Sequence, residues 1–234
     1  MSQQRIPISV EILADMETPL SVFKKLGNQP YSYLFESVEG GEKWARYSLI
    51  GLPASTVIKI FNNEIQIWED GKIIEELTSE DPLKFLEEYQ ENIKVKINEE
   101  LPGFTGGLVG YLGYDCIRYI EPRLSQSNLP DPLGTPDALF MLSEEVAVFD
   151  NLNNKLHLIV LSKSESKEDI SSASQRLKEL SDKLLTPLVQ NNSEEINNPV
   201  TEKDFVSGFG EKEFKESVEK IKEYIKAGDV MQVV

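Results

Sequence analysis

Apolar and polar positions alternate most cleanly from residue 56 to residue 76, where TVIKIF, EIQIWE and KIIEEL are separated by Asn62-Asn63 and Asp70-Gly71. Both turn pairs accept positive φ, so this stretch predicts two consecutive tight hairpins. A second meander is expected from Glu144 to Leu161, EEVAVFDNLNNKLHLIVL, with its turn at Asn151 to Asn154. The aromatic-rich run YSYLFES reads as a buried strand ending at Ser37, and strand character resumes after the Gly40-Gly41 turn through Tyr47, Leu49 and Ile50.

Helical spacing fills the intervals between these strands. Thr18 is placed to cap a helix with Pro19 in its first turn and Leu20, Phe23 and Leu26 on one face. Asp81-Pro82 opens another, carrying Leu83, Phe85, Leu86 and Tyr89. Residues 167 to 190 form a charged amphipathic pattern around Leu177, Leu180, Leu184 and Leu188. A last helix is expected from Glu211 to Ala227, with Phe214, Val218, Ile221 and Ile225 in register and Gly228 ending it. The pattern therefore predicts an α+β fold of mostly antiparallel sheets with flanking helices.

The stretch QNNSEEINNPVTEKD offers little to bury and reads as a linker, which suggests a domain over 1–190, a linker over 191–210 and a new domain opening at 211–234. After Gly228-Asp229 the run VMQVV has strand character and would need partners for its backbone polar groups. The expectation at this point is that a further domain begins there and is absent from the chain.

Composition narrows the function classes. Lys and Arg number 24 against 40 Asp and Glu, a formal charge of −16 over 234 residues, and such a field repels a phosphate backbone. Most of the acid excess reads as solvated helical surface. No apolar run approaches the length of a bilayer span, and MSQQRIPISVEIL lacks the basic and apolar regions of a secretion signal. One cysteine cannot form an internal disulfide, which fits a reducing cytoplasm.

Candidate chemistry is sparse. TGGLVGYLGYDCIRYIE matches neither a phosphate-binding loop nor a dinucleotide fingerprint, and its glycines read as a strand packed closely on a neighbouring backbone, running into a short helix at Tyr114 to Tyr119. Cys116 has no evident base, because the one histidine, His157, lies in the strand KLHLIV. Asp137 sits at a strand entry and Glu144-Glu145 precede an apolar alternation, so they read as structural. No Cys/His pairs or carboxylate ladder suggest a metal site. What remains is LFESVEGGEKWARYSLIG, from Leu34 to Gly51, where hairpin geometry can bring Glu36, Ser37 and Arg46 to one end. A guanidinium suits a ligand carboxylate and a carboxylate suits an ammonium, so the unit can hold a small zwitterion. The competing reading is a surface Glu36-Arg46 ion pair beside a buried Trp44.

Three segments together, LFESVEGGEKWARYSLIG, FTGGLVGYLGYDCIRYIE and TPDALFMLSEEVAVFDNL, strongly resemble the N-terminal half of anthranilate synthase component I, and KEYIKAGDVMQVV resembles the opening of that family's chorismate-utilising domain. The resemblance implies the N-terminal portion of the anthranilate synthase and aminodeoxychorismate synthase-like fold. It implies an enzyme family that converts chorismate to anthranilate and pyruvate with Mg2+ and with ammonia from a glutamine amidotransferase subunit, under allosteric feedback by L-tryptophan. By resemblance Ser37 falls on the serine of the tryptophan-binding motif, here Leu34-Phe35-Glu36-Ser37, and Arg46 falls where some members carry a basic residue near the effector. It also implies that the Mg2+ ligands and catalytic residues lie in an absent catalytic domain, leaving this chain without catalytic residues, without metal ligands and inactive alone. Two rivals remain at this level: an aminodeoxychorismate synthase component of folate synthesis with a structural tryptophan, and a free-standing amino-acid-binding module. A pure scaffold for the amidotransferase is a third.

Overall fold

The computed structural model describes residues 4–36, 46–124, 131, 133–188 and 200–234. They fall into two units, Met1–Val189 and Gln190–Val234. Among the described residues the first unit contains two five-stranded sheets, ordered β1-β10-β9-β3-β2 and β6-β5-β4-β8-β7, and every strand pairing in them is antiparallel. The strands are β1 (Ile6–Leu13), β2 (Tyr33–Phe35), β3 (Tyr47–Gly51), β4 (Thr56–Phe61), β5 (Glu64–Glu69), β6 (Lys72–Thr78), β7 (Gly107–Leu112), β8 (Ala138–Ser143), β9 (Glu145–Asp150) and β10 (Lys155–Ser162). The α+β class expected from the patterning is the class observed.

Both hairpins between residues 56 and 78 form where the turn chemistry puts them, with positive φ at Asn62 (52°), Asp70 (49°) and Gly71 (78°). The β9-β10 turn likewise ends on Asn154 at φ 52°. The N-terminal strand was not anticipated, although Ile6, Ile8, Val10 and Ile12 alternate with Pro7, Ser9 and Glu11 in strand fashion. Pro7 is tolerated because β1 lies at a sheet edge, where one side of the backbone needs no ladder partner.

Among the described residues the α-helical segments of this unit are α1 (Pro19–Val22), α2 (Pro82–Asn92), α3 (Ile117–Ile120) and α4 (Lys167–Leu184). Thr18 caps α1 in a reciprocal box with Ser21, Asp81 accepts from the Lys84 N–H at 3.0 Å, and Ser166 accepts from the Asp169 N–H at 3.1 Å. The chain after α1 widens into a π turn over Phe23–Gly27, so Val22 and Leu26 are buried while the expected Leu20 is exposed. α4 stops at Leu184 rather than at 190, and Leu188 is exposed. Pro187 disfavours helical geometry in the residue before it, which accounts for the earlier stop.

One core layer packs Leu156, Leu158 and Val160 of β10 against Leu177, Leu180 and Leu184 of α4. Another packs Ile58, Ile60 and Ile65 against Leu83, Phe85 and Leu86 of α2. Where the sheets meet, Tyr33 of one is buried with Val57 and Met141 of the other, and its hydroxyl is hydrogen bonded to Ser143 Oγ at 2.9 Å. The second unit contains α5 (Glu211–Ala227), closed by Gly228 at φ 81°. The strand expected over Val230 to Val234 does not form: no neighbouring strand meets its backbone groups among the described residues.

In β7 close backbone approach is served by Gly110, whereas a Cβ at Gly107 would meet nothing within 4 Å. A Cβ at Gly110 would lie 1.9 Å from the Leu139 carbonyl oxygen of β8, a clash with backbone that no rotamer change relieves. Gly110→Ala should therefore destabilise the protein by about 1–3 kcal/mol and lower its thermal midpoint by roughly 3–10 °C, read by calorimetric melting. An unchanged midpoint would show that the two strands can separate freely.

Candidate functional site

The candidate zwitterion site lies on the β2-β3 edge of the first sheet. Tyr33 pairs with Gly51, Leu34 with Ile50 and Phe35 with Leu49. Leu34 turns partly into the core beside α4, whereas Phe35 is 53% exposed and stacks on the Tyr33 ring at 4.9 Å between centroids. Gly51 is required opposite, because a Cβ there would enter the Tyr33 ring. Glu36 follows on the exposed side. Ser37, the Gly40-Gly41 turn and Trp44 lie outside the described residues.

Arg46 is bound to Asp150, a partner that the sequence spacing did not suggest. Its Nε lies 3.2 Å from both carboxylate oxygens and Nη2 lies 2.7 Å from Oδ2. Asp150 ends β9 opposite Tyr47, and its side chain is only 3% exposed. The β9-β10 turn completes the shell: the backbone N–H groups of Leu152 and Asn153 and the Asn153 side chain all donate to the same carboxylate. The Arg46 guanidinium also lies over the Tyr47 ring at 4.8 Å, and its backbone carbonyl accepts from the Asn151 N–H. The signal that could have revealed this partner was an acid closing an apolar strand just before an Asn-rich turn, a common place for an Asx-type cap.

The remaining chemical residues have structural roles. Cys116 is buried and its thiol donates to the Asp137 carbonyl at 3.0 Å; burial pushes the thiol pKa up. His157 sits in β10 of the first sheet, whereas Cys116 packs against Ile58, Ile60 and Ile65 of the second, so the structure does not bring the two together as nucleophile and base. The Asp137 carboxylate ties the β4-β5 turn to α3 by accepting from the Asn62 N–H at 2.6 Å and the Tyr119 hydroxyl at 2.9 Å. Burial and that carboxylate together raise the Tyr119 phenol far above its ordinary range. Glu144 pairs with Arg5 and Glu145 with Arg176; Glu144, Glu145 and Arg176 line a recess of about 500 Å³ beside α4. Among the described residues no group of three or more His, Cys, Asp or Glu side chains could hold a metal ion.

Similarity to known proteins supplies what this geometry cannot. The family profile described as chorismate binding enzyme matches residues 32–234. The chain belongs to the chorismate-binding enzyme family. It is 47% identical over 231 residues to anthranilate synthase component 1 of Pseudomonas putida, covering 98% of this chain and 47% of that protein. It is 45% identical to the protein of the same name from Neisseria meningitidis serogroup B and 36% identical to that of Acetivibrio thermocellus, again over 98% of the chain. Its fold matches the crystal structure of anthranilate synthase component I from Streptococcus pneumoniae TIGR4 with a TM-score of 0.53 and 26% identity, covering 93% of this chain and 45% of that one. The chain spans about half the length of the curated relatives it matches.

The extent of the family match corrects two expectations. The chorismate-binding region does not first open at residue 211, and the chain is not cut off at its threshold, because the match begins at residue 32 and continues to 234. The inference that the catalytic domain is missing and the chain therefore inactive falls with it. The error came from reading the apolar run VMQVV, and the likeness of KEYIKAGDVMQVV to the opening of the chorismate-utilising domain, as the threshold of a functional region. A run with strand composition marks a local propensity and does not delimit the sequence a function requires.

Hydrogen bonds at Asp150 have a measurable consequence. Burial alone would raise its carboxyl, but the donors from Arg46 and Asn153 outweigh burial and hold its pKa at about 2, against an ordinary 3.8. The stabilisation is complete above about pH 3.8 and is lost as pH falls through about 2. After allowance for solvent screening at the 39% exposed Arg46, about 1–2 kcal/mol is involved. Asp150→Asn should flatten the fall of the thermal midpoint between pH 4 and pH 2 relative to the parent; parallel curves would show that other acids govern this range.

Proposed function

We propose that this chain is part of an anthranilate synthase component I, which combines chorismate with ammonia to give anthranilate, pyruvate and water, and that its β2-β3 edge carries the tryptophan feedback site. The observation that carries the first half is 36–47% identity, over 98% of the chain, to curated proteins bearing that name. Ammonia would come from glutamine through a partner amidotransferase subunit, and the setting would be the cytoplasm. No helix among the described residues is long and apolar enough to cross a membrane. Magnesium belongs to the proposed reaction; no group of three or more His, Cys, Asp or Glu among the described residues could hold it, and none of them is assigned to it.

The feedback site is assigned to Leu34, Phe35, Glu36, Ser37 and Arg46. Phe35 offers an exposed aromatic face to an indole, Glu36 offers a carboxylate to an ammonium, and Arg46 offers N–H donors to a carboxylate. Leu34 anchors the strand to the core beneath them. For tryptophan to inhibit, it must bind the less active arrangement of the protein more tightly; a preference of roughly 1–3 kcal/mol gives about 5- to 150-fold coupling.

The complete protein bearing these residues, supplied with chorismate, an ammonium salt and Mg2+, should release fluorescent anthranilate together with pyruvate. Formation of aminodeoxychorismate without pyruvate would overturn the assignment in favour of the folate-pathway relative. In the same assay, with each variant scaled to its own uninhibited rate, Ser37→Ala should raise the half-inhibiting tryptophan concentration about tenfold, as loss of one ligand hydrogen bond would. An unchanged value would remove Ser37 from the feedback site.

A further inference from the structure

The way Arg46 is held decides which of its N–H groups a ligand can use. A guanidinium has a side edge, Nε with Nη2, and an end edge, Nη1 with the second N–H of Nη2. Asp150 occupies the side edge through both of its oxygens. Among the described residues no acceptor takes Nη1, and the Arg46 side chain is 39% exposed. Asp150 cannot swing away, since it is buried and held by three further donors from Leu152 and Asn153. The Tyr47 ring beneath the guanidinium restricts its remaining rotation. A long side chain that would otherwise sample many rotamers is thus ordered before any ligand arrives.

We propose that Asp150 is a positioning residue of the amino-acid effector site, holding Arg46 so that the end edge of its guanidinium receives the ligand carboxylate as a two-bond fork. The inference rests on the proposed feedback site and deepens it by naming the atoms that read the carboxylate and the group that orients them. Two carboxylates then share one guanidinium from adjacent edges. The repulsion between them is moderated because the charge of Asp150 is already taken up by backbone and amide donors from its own turn.

Tryptophan and tryptamine, which has the same ring and ammonium but no carboxylate, distinguish positioning from general stability when titrated by calorimetry against the complete protein. Asp150→Asn should weaken tryptophan about ten- to hundredfold and leave tryptamine within about twofold of the parent. Arg46→Lys keeps the charge but loses the fork, and should show the same selective loss; it serves as the test should Asp150→Asn fail to fold. The double variant should be little worse than the weaker single one, because both act through one group. Equal losses for both ligands, or tighter tryptophan binding in Asp150→Asn, would overturn the proposal, the latter by showing that Asp150 competes for Arg46 instead of presenting it. If Ser37→Ala weakens tryptophan while Asp150→Asn and Arg46→Lys do not, the inference fails and the feedback site stands. If the parent binds no tryptophan, both fail.

Discussion

The structure of the first unit depends on one covalent constraint: β8 and β9 are a single run of chain, interrupted only at Glu144, whose two halves belong to different sheets. β8 is flanked by β4 and β7, and β9 by β3 and β10. The preceding pair β3 and β4 makes the same crossing beside it, with β3 laddered to β9 and β4 to β8. The two sheets are therefore joined by a pair of adjacent crossings, which is why Leu49 of one sheet and Met141 of the other contribute to the same apolar layer. At the crossing itself, the Glu144 carbonyl accepts from the Leu161 N–H and the Glu145 carbonyl from the Leu52 N–H, so the break in the ladders leaves neither carbonyl orphaned. The side chains of Glu144 and Glu145 are tied to Arg5 and Arg176, far apart in sequence, and these pairs brace the junction.

That arrangement explains which features could be read from residues and which could not. Local rules were sufficient for the β4-β5-β6 hairpins, the caps at Thr18 and Asp81, and the end of α5 at Gly228, since each depends on a turn or cap within a few residues. Tertiary placement was required for the rest. The alternation in Ile6 to Ile12 is complete, but its partner β10 lies about 150 residues away, and Pro7 argues against a strand unless the edge position is known. VMQVV has the composition of a strand but no strand neighbour among the described residues, and propensity without a partner does not make a sheet.

The candidate site divides along the same line. Leu34, Phe35 and Glu36 could be found because they are consecutive, and Arg46 because it returns on the next strand. Asp150 could not, because it meets Arg46 across more than a hundred residues and only the β3-β9 register sets it opposite Tyr47. Spacing suggested Glu36 as the natural partner for Arg46, but the partner shown is the buried acid with the richer shell of donors. A carboxylate that is 3% exposed has few alternatives to pairing, whereas an exposed one is satisfied by water, so burial decides which acid holds the guanidinium.

Position along β9 gives this pair a consequence beyond the local site. Asp150 closes the strand whose other end is Glu145, and the interior residues Val146, Ala147 and Val148 are almost wholly buried. A strand packed this tightly transmits displacement poorly as gradual bending and more readily as a shift between discrete packings. Under the proposed function, a ligand that pulls on Arg46 acts on Asp150, and through β9 on the crossing that joins the two sheets. The effector site would then need no contact with the reacting centre to influence it, provided the two arrangements of the protein differ in how that crossing is packed.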